Sequence, residues 1–90
     1  MKVIYKYPIR RYPGQTTIEM YKDKQILKLD YDPNGILCIW ALVDNELEKE
    51  NVTIALVGTG WPLDELNIQF ENYIATINDG PYVWHAFEVK

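Results

Sequence analysis

Four residues, Asp32-Pro33-Asn34-Gly35, constrain the fold more than any others in this chain. Proline presets the φ that a β-turn needs at its second position, and Asn-Gly tolerates the positive φ that follows. Before the turn, Ile26, Lys28 and Asp30 alternate with Leu27, Leu29 and Tyr31, the period of a half-buried strand over 25–31. After it, residues 36–43 read Ile-Leu-Cys-Ile-Trp-Ala-Leu-Val, apolar on both faces. Two strand patterns joined by so short a turn form an antiparallel hairpin. A strand apolar on both faces must be covered on both, so 36–43 lies at the centre of a sheet or against another copy of the chain.

The remaining segments repeat this grammar. Residues 3–7 are β-rich and stop at Pro8, which cannot donate to a ladder. Pro13-Gly14 reads as a turn, and a short strand covers 16–20. The charged stretch 44–51 reads as a solvated loop, followed by a strand over 52–57 that runs into Gly58-Thr59-Gly60-Trp61-Pro62. At most one short helical turn fits, near 62–66. A long strand is expected over 67–77, with a bulge near Asn72 where the apolar face switches. Asn78-Asp79-Gly80-Pro81 turns the chain into a final strand over 82–89. The expectation is therefore an all-β, or β-dominated α+β, single compact domain over 1–90. Five to six strands would form a twisted antiparallel sheet, with partial closure into a barrel as a variant.

Ninety residues suffice for one core and not for two. The lone Cys38 excludes a disulfide framework or a cysteine zinc site, and its place mid-strand makes it an inert buried thiol. No apolar run approaches membrane-spanning length and the opening residues lack a signal-peptide core, so no membrane partner is expected and the chain reads as cytoplasmic. The net charge of −4 hides a division. Residues 1–28 carry seven Lys and Arg against two acids, whereas 29–90 carry two Lys against eleven acids. Either the halves interleave on folding, or a basic N-terminal surface meets an anionic ligand or the acidic half of another copy. The overall sign argues against duplex nucleic acid.

Catalytic chemistry has little to work with. His85 is the one histidine, no nucleophile-and-base spacing is visible, and Asp64-Glu65 are adjacent rather than facing, so neither an enzyme nor a metal site is expected. Binding is better supplied. Gly58-Thr59-Gly60 after a strand either turns backbone N–H groups toward an anion or is a plain sharp turn. Tyr5-Lys6-Tyr7-Pro8-Ile9-Arg10-Arg11-Tyr12 interleaves aromatic and basic side chains, the combination that stacks a base and forks a phosphate. Core packing is the favoured reading of Tyr5 and Tyr7, whereas Arg10, Arg11 and Tyr12 in a Pro-bounded loop are the better binding candidates. Trp40 and Trp84 read as core; Trp61, between Gly and Pro, reads as exposed enough to stack on a ligand. The candidate binding set is thus Tyr7, Arg10, Arg11, Tyr12, Gly58, Thr59, Gly60, Trp61 and His85, with no cofactor.

Several segments carry a resemblance. Lys2-Val3-Ile4-Tyr5-Lys6-Tyr7-Pro8, Thr17-Ile18-Glu19-Met20, Ile26-Leu27, Trp40-Ala41-Leu42-Val43-Asp44, Val57-Gly58-Thr59-Gly60 and Val83-Trp84-His85-Ala86-Phe87-Glu88 resemble, in order and over almost the whole chain, a family of small phage and prophage proteins without an assigned activity. Trp61 departs from that family, whose loop usually has histidine there, so a pair of histidines is not available to this chain. The resemblance implies a small accessory protein acting in the host cytoplasm. By analogy with other phage proteins of this size, it implies an anti-defence role: sequestering a small anionic ligand such as a cyclic nucleotide immune signal. The alternative is a protein that occludes a host factor through the acidic surface at 44–50 and 64–71. A homo-oligomer is expected from the two-sided apolar strand, the small size and the split charge.

Overall fold

A computed structural model describes residues 1–9 and 14–89. The strands are β1 (Lys2–Pro8), β2 (Gly14–Tyr21), β3 (Gln25–Tyr31), β4 (Leu37–Asp44), β5 (Lys49–Gly58), β6 (Tyr73–Asp79) and β7 (Tyr82–Val89). All pairings are antiparallel, which bears out the all-β reading. The single twisted sheet or partial barrel gives way to two sheets, one in the order β1-β4-β3 and one in the order β2-β5-β7-β6. Pro8 and the stretch before Gly14 separate β1 from β2, so the chain changes sheet there; it changes back between β2 and β3, and again between β4 and β5.

The Asp32 turn closes the β3–β4 hairpin as its residues dictate. Gly35 has φ +78°, its N–H donates to Asp32 O at 2.9 Å, and Asp32 N–H donates to Ile36 O at 2.8 Å. The Asp32 carboxylate accepts from the N–H groups of Asn34 and Ile36, both at 2.9 Å, and from Lys6 Nζ at 2.9 Å. These bonds to the charged form, with the Lys6 ammonium foremost, hold Asp32 below the usual carboxylate range, and the carboxylate holds Lys6 above the usual lysine range. β4 is the middle strand of its sheet, the first of the two placements its sequence allowed.

One face of each sheet meets the other around a shared core. Leu37, Ile39, Ala41 and Val43 from β4 join Met20 of β2, Val52, Ile54 and Leu56 of β5, Ile77 of β6, and Trp84 and Ala86 of β7. Trp84 is core as expected, while Trp40 is only half-buried on the other face of β4, with Lys6 Nζ 5.9 Å from its ring centre. Cys38 is buried, and burial pushes its thiol above the ordinary range.

The charged halves interleave. Lys22 pairs with Glu48 at 3.1 Å, Lys49 with Glu19 at 3.7 Å, and the largely buried Lys24 bridges Glu50 at 3.7 Å and Glu88 at 3.4 Å. Among the described residues no helix is long and apolar enough to cross a membrane.

The expected strand over 67–77 is shorter than its sequence suggested. Residues 63–67 form a turn, with Leu66 N–H donating to Pro62 O at 3.2 Å and Ile68 N–H to Leu63 O at 3.0 Å. The helical element lies further on, a 3-10 helix at Phe70–Asn72, and β6 starts only at Tyr73. The ladder irregularity falls between Tyr73 and Ala75 rather than at Asn72. At the first position of the expected strand Asn67 has φ +57° and so leaves the extended conformation that a strand requires, and the 3-10 helix takes up the next part.

Candidate functional site

The segment between β5 and β6 folds back over the outer face of the four-stranded sheet. On β5, Ile54 and Leu56 point into the core, so Val57 points outward; on β7, Trp84 and Ala86 point inward, so His85 and Phe87 point outward. Val57, His85 and Phe87 form the floor of a groove of about 260 Å³, whose walls are Gly58, Thr59, Gly60, Trp61, Leu63, Phe70 and Tyr73.

Each wall follows from local sequence. Trp61 N–H donates to Gly58 O at 3.2 Å, closing a tight turn in which Gly60 takes φ +90°. That turn lays the Trp61 indole directly over Gly58: a Cβ there would come within 2.8 Å of Trp61 Nε1. Trp61 then rests edge-on against Trp84, ring centres 6.0 Å apart, and remains 42 % exposed. On the opposite wall Phe70 and Tyr73, three residues apart on the 3-10 helix and its end, stack at 5.8 Å and 7°. Tyr73 also meets Phe87 edge-on at 5.5 Å. Phe70 is 74 % exposed, so the groove is edged by aromatic surface turned to solvent.

His85 sits at the middle of the floor because β7 is an inner strand, opposite Val57 on β5 and Thr76 on β6. Its Nε2 lies 2.8 Å from Thr59 Oγ1 and its Nδ1 lies 2.8 Å from Thr76 Oγ1. Thr76 Oγ1 in turn lies 2.6 Å from the Tyr73 hydroxyl. The imidazole is therefore held at both nitrogens by neutral hydroxyls. Among the described residues no carboxylate orients it, unlike the base of a catalytic triad. Among the described residues no group of three or more His, Cys, Asp or Glu is placed to hold a metal.

No Lys or Arg is among the described residues that line the groove. Residues 50–89 contain no Lys or Arg, and the covering segment carries Asp64, Glu65 and Glu71, all exposed. What the groove can do is stack a flat ring against aromatic walls and offer hydrogen bonds from its floor.

The candidate set divides in three. Gly58, Thr59, Gly60, Trp61 and His85, up to 27 positions apart in sequence, come together around this groove. Tyr7 does not join them: it lies opposite Ile39, on the core-facing side of the three-stranded sheet, and packs against the core. Its hydroxyl is buried with no hydrogen-bond partner among the described residues, and burial pushes the phenol upward. Arg10, Arg11 and Tyr12 lie outside the described residues. Sequence reasoning missed Leu63, Phe70, Tyr73, Thr76 and Phe87. Placing 67–77 on one strand hid the Phe70–Tyr73 wall; the spacing of three between those aromatics was the available signal.

One family model, described as a domain of unknown function (DUF7352), matches residues 1–90. No curated protein and no solved structure matches the chain.

Proposed function

The chain belongs to the DUF7352 family, and we propose that it is a non-catalytic binding protein that takes a flat ring into the groove between Trp61 and the Phe70–Tyr73 wall. The observation that carries this reading is convergence: Gly58, Thr59, Gly60, Trp61 and His85, each a binding candidate on sequence grounds, line one groove. A nucleotide, including a cyclic one of the kind used as an immune signal, suits the arrangement. Its base stacks in the groove while its phosphate falls to Arg10 and Arg11, because none of the described residues that line the groove is a cation. In the phage setting implied by the sequence resemblance, holding such a signal without altering it would be an anti-defence activity in the host cytoplasm.

Native mass spectrometry with a panel of cyclic and linear nucleotides tests this directly. The expected result is ligand held at fixed stoichiometry and recovered intact. Trp61→Ala should weaken binding by about 5- to 150-fold, the range of one base–aromatic stack. Arg10→Ala with Arg11→Ala should abolish it without lowering Tm. A clean apo mass across the panel would overturn the reading.

A second reading is favoured by the exposed aromatic surface itself: this face docks on a host protein. Trp61, Leu66, Phe70, Tyr73 and Tyr82 are exposed, with Asp64, Glu65 and Glu71 beside them in the chain. The acids at 44–50 are less suited, since Glu48 and Glu50 already pair with Lys22 and Lys24. Charge reversal at Asp64, Glu65 and Glu71 should then weaken capture of a basic partner at low salt. Capture that survives reversal would count against it.

A further inference from the structure

The hydroxyls and imidazole on the groove floor can be counted proton by proton. Tyr73, Thr76, His85 and Thr59 form one chain of three hydrogen bonds, at 2.6, 2.8 and 2.8 Å. With a neutral imidazole the chain holds four polar protons: three O–H and one N–H. Each bond uses one, so one proton is left over. If His85 carries its proton on Nε2, that N–H donates to Thr59, and the Thr59 O–H is free. Nδ1 then accepts from Thr76, and Thr76 accepts from Tyr73. If the proton sits on Nδ1 instead, Thr59 must donate to Nε2, and the free proton moves to the Thr76–Tyr73 end.

We propose that this chain is a tautomer-coupled relay that offers the groove a single hydrogen-bond donor, at Thr59 or at the Thr76–Tyr73 end but never at both. This inference rests on the groove being a ring-binding site and names what it selects there: an uncharged flat ring carrying one hydrogen-bond acceptor, a carbonyl or a ring nitrogen. An anion that needs two donors finds only one in this chain, and no Lys or Arg is among the described residues that line the groove. Among the described residues, the imidazole hydrogen-bonds to Thr59 in the loop and Thr76 on β6 and stands opposite Val57 on β5, all uncharged.

The relay can be tested without knowing the physiological ligand. The chain has one histidine, so 15N–1H long-range correlation spectra of the labelled protein at pH 8 report His85 alone. Thr59→Val removes the partner of Nε2 and should drive the proton to Nδ1; Thr76→Val removes the partner of Nδ1 and should drive it to Nε2. Opposite tautomers in the two variants support the relay, and the same tautomer in both overturns it. Quinoline and naphthalene, alike in shape but only the first bearing an acceptor, then probe selection. Quinoline should quench tryptophan fluorescence with about fivefold higher affinity, the worth of one net hydrogen bond, and lose that advantage only when Thr59→Val, Tyr73→Phe, Thr76→Val and His85→Phe together remove all four protons of the chain. Equal affinities in the wild-type protein would overturn the selection. If neither compound binds, the ring-binding function fails, while the tautomer spectra still decide the relay.

Discussion

Single residues decide how this groove is built. Gly58 takes no unusual φ; what it supplies is room, because the Trp61 indole occupies the space a Cβ would fill. Since Trp61 is partly exposed and can swing away, Gly58→Ala should leave Tm nearly unchanged yet red-shift the tryptophan emission and cut ligand affinity at least as much as Trp61→Ala. A blue-shifted or unaltered spectrum would show that the indole had not been displaced. Tyr7 provides the opposite case. Its sequence allowed a stacking role beside Arg10 and Arg11 but favoured core packing, and its ring faces the core with its hydroxyl buried without a described partner. Removing an unsatisfied buried hydroxyl costs nothing in hydrogen bonding. Tyr7→Phe is therefore expected to keep or raise Tm and to leave binding intact, and a loss of affinity would return Tyr7 to the site.

At the scale of elements, the Asp32 turn is where charge, backbone geometry and strand pairing meet. Asp32 is held below its ordinary range, so its contribution is present above that range and is lost as pH falls through the depressed value. Lys6 is held above its ordinary range, so its contribution is present below that range and is lost as pH rises through the elevated value. The pair thus stabilises the protein from about pH 4 to about pH 10. Asp32→Asn should lower Tm at pH 7 by about 5 °C and flatten the fall in stability below pH 4. An acid limb as steep as the wild type's would assign that limb to other carboxylates. Gly35→Ala, at φ +78°, should cost about 1 kcal/mol in denaturant unfolding. The covering segment 59–72 is held to the sheet mainly by groove-lining side chains, and it is the element whose amides should exchange first in the free protein and slow on ligand binding.

The whole molecule is two small sheets on one core, with basic and acidic stretches of sequence laced together by pairs such as Lys24 with Glu50 and Glu88. That lacing removes the split charge as an argument for self-association. An apolar surface remains: Ile4, Leu27 and Ile36 are exposed on the three-stranded sheet or its hairpin, and Ile4 stands opposite the half-buried Leu42. We propose that this face joins copies of the chain. Light scattering at micromolar concentration should then give a mass above 10.6 kDa, and Ile4→Lys should return it to the monomer value. A wild-type monomer would leave the groove as the molecule's one proposed contact surface.

Local pattern alone determined that the chain is antiparallel β, that β3 and β4 form a hairpin about Asp32–Gly35, that β4 is covered on both faces, and that the chain turns out of the sheet after Gly58 with Trp61 exposed. Period-two burial and turn stereochemistry act over a few residues, so they are legible without the fold. The division into two sheets was not legible, because nothing short-range tells β5 to pair with β2 and β7 rather than with β4. Nor was the late start of the expected long strand, where Asn67 turns left-handed and Phe70–Asn72 form a 3-10 helix before β6 begins at Tyr73. The groove needed both. Only once β7 lies between β5 and β6, with the 59–72 segment folded over them, do Thr59 and Thr76 meet His85 and Tyr73 reach Thr76.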